Sequence, residues 1–379
     1  MLDMIETEEL ELFRTSVRRF LEREVAPHAA KWRKEGLVDR ELWLKAGEAG
    51  LLLPGISDEY GGGGGNFRHE AVIIEELARV NFPDFGIALH NAIVAPYILH
   101  YGTEAQKREW LPRLATGELV GAIAMTEPGG GSDLQGIRTV ARLDGDSYVI
   151  NGQKVFITNG LLANFIIVAL KTDATARGRG ISLICVETDK AEGFRRGRNL
   201  EKIGYKANDT SELFFDDVRV PAGNLIGTGP GKGFLQMKEQ LPQERLICAL
   251  QGLGAIEAAI DATLIYTKER GAFGQPIFDF QNTRFKLAEA ATEAKICRVF
   301  LEHCIEELVA GRLSAVTGAM AKWWTTQKQC EIIDECLQLF GGYGYMSEYP
   351  ISIMWTDARV QKIYGGTNEI MKEIIGKSL

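Results

Sequence analysis

The chain has 379 residues, enough for two or three structural units, which excludes a single small binding module. Its 45% hydrophobic and 25% charged content is that of a globular protein. A net charge of -8 with scattered Lys and Arg leaves no footprint for nucleic acid and no polybasic patch for an anionic membrane.

The first residues, MLDMIETEEL, are acidic and lack the charged-then-apolar order of a signal peptide. No uninterrupted apolar run approaches the roughly 20 residues that span a bilayer. A soluble protein is expected, cytoplasmic in a bacterium or in the mitochondrial matrix as a mature eukaryotic form. From residue 7 to about 117 the pattern is helical. Leu10, Phe13, Val17, Phe20, Leu21 and Val25 recur at spacings of three and four, with Thr7 as cap and Pro27 as stop. Further helices are predicted at 40–48, 67–80, 85–101 and 103–116, with a loop over the glycine run 61–65.

From about 119 to 220 the period changes to two, in short apolar strands such as VGAIAM, SYVING, FIIVAL and ISLICV. Asp144-Gly145 and Asn151-Gly152 are placed between strands, because such pairs favour tight hairpins. With no helix of 10–15 residues separating the strands, the block reads as an antiparallel barrel or sandwich. After Gly233 long helices return, at about 234–269, 280–310 and 314–339, with a short last helix after Gly366. Their glycine-containing connections predict an antiparallel bundle. The six cysteines form no CxxC pair and fit buried free thiols; no metal site is expected.

Five strings carry the chemistry. AMTEPGGGSD (124–133) ends the first strand, its glycines permitting close backbone approach and Thr126 and Ser132 supplying hydroxyls. Then come NGQKVFITNG (151–160), RGAFGQPI (270–277) with Gln281, QLFGGYGY (338–345) and KIYGGTNEI (362–370). In this order they closely resemble the acyl-CoA dehydrogenase family, from the first helix to the C-terminus. The fold implied is α+β, mostly α. It comprises an N-terminal helical domain (1–118), a middle antiparallel β-barrel domain (119–222) and a C-terminal four-helix bundle (223–379). The resemblance also implies FAD as cofactor, an acyl-CoA substrate, a homotetramer built as a dimer of dimers, and reoxidation by an electron-transferring flavoprotein.

Carried over by position, the resemblance sets the flavin ring against Met125 and Thr126 and against Phe156, Ile157 and Thr158, whose hydroxyl would lie near flavin N5, with Gly131 also a cofactor-binding residue. Ser132 would touch both cofactor and CoA. Arg270 and Gln281 would reach the pyrophosphate and adenosine from an adjacent subunit, with Gln338, Gly341 and Gly342 at the same interface. Thr367, Asn368 and Glu369 open the last helix, where free amides suit an anion or polar ring edge. Leu235, Pro242, Arg245 and Gly366 complete the substrate residues. Taken singly, Arg270 equally reads as a cation at a helix end, Thr158 as an exposed strand residue, Phe156 as core and Gly341-Gly342 as a helix stop. Many relatives carry Trp where Phe156 stands and His where Phe340 stands.

Dehydrogenation needs a carboxylate over the weakly acidic α-carbon as hydride leaves the β-carbon. Most of the family place that glutamate where this chain has Gly365. The subset acting on long-chain and isovaleryl thioesters has it on the first bundle helix, directly before an arginine, and LPQERL supplies Glu244 and Arg245 there. Glu244 is therefore the expected base, with desolvation by the bound acyl chain raising its pKa toward neutrality, and the Gly365 amide is the expected donor to the thioester carbonyl. The alternative is a non-dehydrogenase flavoprotein on the same fold: an oxygen-using oxidase or monooxygenase, or a DNA-binding or scaffolding relative.

Overall fold

The computed structural model describes residues 8–379. The predicted cap, Thr7, lies outside them. The chain opens with α1 (Glu8–Phe20), whose last turn widens into a π turn, Leu21–Val25, and continues through α2 (Ala29–Glu35), α3 (Arg40–Glu48) and α4 (Phe67–Arg79). Next, α5 (Ile87–Leu89), a π turn at His90–Val94 and α6 (Ala95–Tyr101) form one irregular helical run before α7 (Glu104–Ala115). The periodicity of α1 is realised, with Leu10, Val17, Phe20, Leu21 and Val25 buried. Thr103 and Gln106 cap α7 reciprocally.

Seven strands follow: β1 (Gly121–Ala124), β2 (Val140–Asp144), β3 (Ser147–Thr158), β4 (Phe165–Lys171), β5 (Ile181–Glu187), β6 (Phe194–Asn199) and β7 (Thr210–Pro221). They form one curled sheet in which β2–β3, β3–β7, β4–β5 and β6–β7 pair antiparallel. β1 pairs parallel with β4, a register that alternation cannot reveal because it depends on which strands meet, not on which face they bury. Asp144-Gly145 does turn the β2–β3 hairpin. Asn151-Gly152 does not make one; both residues lie inside β3, and the ladder to β7 shifts register there. Gly152 has φ 149°, and a Cβ on it would lie 2.5 Å from Thr139 Oγ1. The glycine serves close backbone approach at a bulge rather than a turn.

The last third is α8 (Gly233–Glu269), the two-residue strands β8 (Gly271–Ala272) and β9 (Gln275–Pro276), α9 (Gln281–Val309), α10 (Ala315–Phe340), α11 (Pro350–Ala358) and α12 (Asn368–Gly376). α8, α9 and α10 pack along one another as the body of the bundle, with α11 and α12 against α10. By length and composition α8 would pass as a membrane span, yet 67% of its most apolar window is buried in the protein. Its other face meets α4 and α6. Arg298 of α9 binds Glu75 of α4 and Glu257 of α8, tying the N-terminal helices to the bundle. All six cysteines are free thiols, five of them buried.

Candidate active site

Glu244 sits about three turns into α8, just beyond Pro242, and is 8% exposed. Its Oε1 accepts a hydrogen bond of 2.9 Å from the hydroxyl of Tyr97 on α6. Burial pushes the carboxyl up to about 7, against the pull of Tyr97 and the neighbouring Arg245 guanidinium. Arg245 is itself buried, and its Nε finds no hydrogen-bond partner among the described residues. One turn on, Cys248 Sγ faces the 365–366 turn, since a Cβ on Gly365 would lie 3.0 Å from it.

That turn needs glycine twice: Gly365 has φ 65° and Gly366 φ 91°, the left-handed region in which side chains are strained. Tyr364, just before it, is anchored to α8 through Gln251 (3.0 Å). Just after it, Thr367 caps α12 by accepting from the Ile370 amide. From α10 the fully buried Lys322 donates to Gly366 O (2.7 Å) and Asn368 Oδ1 (3.0 Å), and Thr326 Oγ1 donates to the same amide oxygen (3.1 Å). Burial pulls the Lys322 ammonium down to about 8. Glu244, Arg245, Gly365, Gly366, Thr367 and Asn368 thus come together where α8, α10 and the start of α12 converge. Glu369 points to solvent.

The β-domain residues form a second group. Met125 and Thr126 follow β1 directly, and Thr126 O accepts the Val155 amide at 3.0 Å, joining this segment to β3. Beneath it the buried Lys154 donates to Met125 O (3.0 Å) and to Glu127 Oε1 (2.8 Å), while the Glu127 carboxylate also accepts the amides of Arg138 and Thr139. Phe156 lies at a register shift of β3 with φ 60° and is 66% exposed, between buried Val155 and Ile157. Gly131 and Ser132 are exposed, Thr158 is half-buried, Leu235 is exposed on α8 and Pro242 is buried.

A third group is remote. Arg270 follows the last residue of α8, 25 residues beyond Glu244, about 38 Å at helical rise. It is exposed, makes no ion pair among the described residues, and lies 5.5 Å over the ring of Tyr343. Gln338, Gly341 and Gly342 are nearby and exposed, as is Gln281 at the start of α9. No hydrogen bond or ion pair joins this group to Glu244 among the described residues.

These surroundings fit a flavin. Phe156 is an aromatic side chain held outward from a rigid strand with nothing over it, which suits a planar ring. Asn368 Nδ2, at the start of α12, is a buried donor without a partner among the described residues.

Residues 7–118, 122–218 and 231–379 match the N-terminal, middle and C-terminal domains of acyl-CoA dehydrogenase. The chain belongs to the acyl-CoA dehydrogenase family. It is an enzyme of that family, whose members are FAD-dependent. It is 48% identical to the mitochondrial long-chain specific acyl-CoA dehydrogenase of Sus scrofa, over 98% of this chain and 86% of that one. A crystal structure of acyl-CoA dehydrogenase from Geobacillus kaustophilus superposes with TM-score 0.96 at 50% identity, covering 99% of this chain and 98% of the other. A glutaryl-CoA dehydrogenase of Mycobacterium smegmatis, solved in complex with FADH2, superposes with TM-score 0.91 at 30% identity, covering 100% and 96%.

Tyr97, Lys322 and Lys154 were not singled out in the sequence. Tyr97 stands in an apolar helical run, PYILHY, where it reads as core, and the two lysines read as solvated. No local signal separates a buried lysine from an exposed one.

Proposed function

We propose that this acyl-CoA dehydrogenase removes the α-proton of an acyl-CoA thioester with Glu244, giving a trans-2-enoyl-CoA. The observation that carries the reading is a buried, hydrogen-bonded carboxyl with a pKa near neutrality, beside a turn whose own position 365 has no carboxylate. A base needs a pKa matched to the working pH and must be free to reach its proton. The Gly365 amide, set by the Lys322-held turn, serves as donor to the thioester carbonyl; a hydrogen bond there strengthens as negative charge builds on that oxygen. Arg245 holds positive charge beside the base.

FAD would be held by Met125, Thr126, Gly131, Ser132, Phe156, Ile157 and Thr158 on the β domain and by Thr367, Asn368 and Glu369 at α12. Bound there, it supplies the hydride acceptor, N5, for the β-hydrogen. Ser132, Leu235, Pro242, Arg245 and Gly366 line the thioester and pantetheine path. Arg270, Gln281, Gln338, Gly341 and Gly342, grouped about 38 Å along α8 from Glu244, would serve a cofactor in a neighbouring subunit, as the family resemblance implies, within a homotetramer arranged as a dimer of dimers. An electron-transferring flavoprotein is the acceptor, and neither nucleic acid nor membrane is a partner. Medium-to-long or methyl-branched acyl-CoA, in fatty-acid or branched-chain acyl degradation, is the favoured substrate over butyryl-CoA, the long-chain reading being supported by the 48% identity to a long-chain specific relative; the setting is a bacterial cytoplasm or a mitochondrial matrix.

The test is anaerobic mixing of the FAD-loaded enzyme with palmitoyl-CoA, octanoyl-CoA, isovaleryl-CoA and butyryl-CoA, following loss of the oxidised flavin absorbance. Bleaching by the longer chains with enoyl-CoA formation is expected. No bleaching by any thioester overturns the dehydrogenase reading, and the highest kcat/KM for butyryl-CoA overturns the chain-length reading alone.

A further inference from the structure

The side chain of Tyr97 is sealed between α6 and α8, its ring 6.1 Å from that of Tyr101. A buried phenol without a partner costs about 1–3 kcal/mol, so a core tyrosine needs an acceptor. A backbone carbonyl would serve for packing alone. The acceptor is instead Glu244 Oε1, at 2.9 Å, and Glu244 Oε2 accepts no hydrogen bond among the described residues. The two carboxylate oxygens are thus unlike: one is fixed and one is free.

We propose that Tyr97 is a positioning residue for the dehydrogenation, holding Oε1 of Glu244 so that Oε2 is the oxygen presented to the α-proton. This rests on Glu244 being the base. A glutamate on a helix has three side-chain torsions to restrain, and a hydrogen bond from the hydroxyl of a rigid, buried ring restricts that freedom. Other groups around Glu244 cannot substitute. Arg245 and Cys248 act on it from its own helix without a hydrogen bond to it, Tyr101 of α6 is bonded to Glu239 at 2.9 Å, and Lys322 of α10 is committed to Gly366 and Asn368. The same bond lowers the carboxyl pKa, since a donor stabilises the charged form. Deleting the hydroxyl therefore moves the pKa up, and with it the acid limb of kcat, because the base works only when ionised.

The test is Tyr97→Phe in FAD-loaded enzyme, beside Glu244→Gln. Tyr97→Phe keeps the ring, so FAD content and KM should be nearly unchanged. kcat should fall about tenfold, as expected for one hydrogen bond. The acid limb should move to higher pH, and the isotope effect with α-deuterated acyl-CoA should grow as proton removal becomes more limiting. A wild-type kcat, limb and isotope effect in Tyr97→Phe, with Glu244→Gln inactive, overturns the role of Tyr97 and leaves the base intact. An equal loss at every pH without a shifted limb or altered isotope effect also overturns it, because packing damage alone would give that. Retained turnover in Glu244→Gln removes the base and this proposal with it.

Discussion

The ammonium nitrogen of Lys322, a fully buried side chain, lies 2.7 Å from the carbonyl oxygen of the half-buried Gly366. One buried cation thereby ties α10 to both the strained 365–366 turn and Asn368 at the start of α12. Lys322→Met keeps the stem and removes the charge, leaving Gly366 O unsatisfied and Asn368 Oδ1 with Thr326 alone. The expected loss is about 1–3 kcal/mol of unfolding free energy, with a fall in kcat/KM because the Gly365 amide is no longer held. Urea denaturation and steady-state kinetics check this; wild-type kinetics in a folded Lys322→Met protein would show the turn is set without the lysine.

Glu244→Gln should lose turnover by at least about two orders of magnitude while retaining FAD. Stability should move the other way with pH. The folded-state pKa is raised to about 7 from an ordinary 4.5. The native carboxyl is therefore favoured while protonated, and its contribution is lost as pH rises from the unfolded pKa through the folded one. Gln carries no such dependence. The difference in unfolding free energy should grow in the variant's favour by about 2 kcal/mol between pH 5 and pH 8. Parallel denaturation curves at the two pH values give the answer.

Gly365→Glu puts a carboxylate on the 365–366 turn itself, facing the same site from a different element. In the Glu244→Gln background it should restore little activity, because its Cβ meets Cys248 Sγ at 3.0 Å on a backbone with φ 65°. Adding Cys248→Ala opens that space and should raise activity well above the double variant. Equal rates with and without Cys248→Ala would locate the obstacle elsewhere.

Arg270→Ala should leave the single-chain fold intact, since the guanidinium is exposed and makes no ion pair among the described residues. The prediction is a lower FAD-to-protein ratio after gel filtration, with little change in melting temperature measured at saturating FAD. Full FAD retention would separate this arginine from the cofactor.

Much of the fold was legible in the chain. Three- and four-residue spacing marked α1, α4, α8, α9 and α10, the glycine run 61–65 marked a loop, and Asp144-Gly145 marked a hairpin. These are local properties, set by propensity and by burial of one face. The absence of a glutamate at 365 with its presence at 244 was likewise a fact of sequence. Asn151-Gly152 shows where local signals end: the pair prefers a turn, yet β3 runs through it because pairing with β2 and β7 on both sides outweighs that preference, and the glycine is taken up as a bulge. The parallel pairing of β1 with β4 is likewise set by which strands meet. Tertiary structure alone decided the partners of the chemistry. Tyr97 and Glu244 are 147 residues apart, and Lys322 and Gly366 are 44 apart. A tyrosine in an apolar helix and a lysine in a bundle helix have the same sequence signature whether they face a carboxylate, a carbonyl or water. Only the convergence of α6, α8 and α10 removes the water, and removing water is what raises the pKa of Glu244 and makes each of those hydrogen bonds consequential.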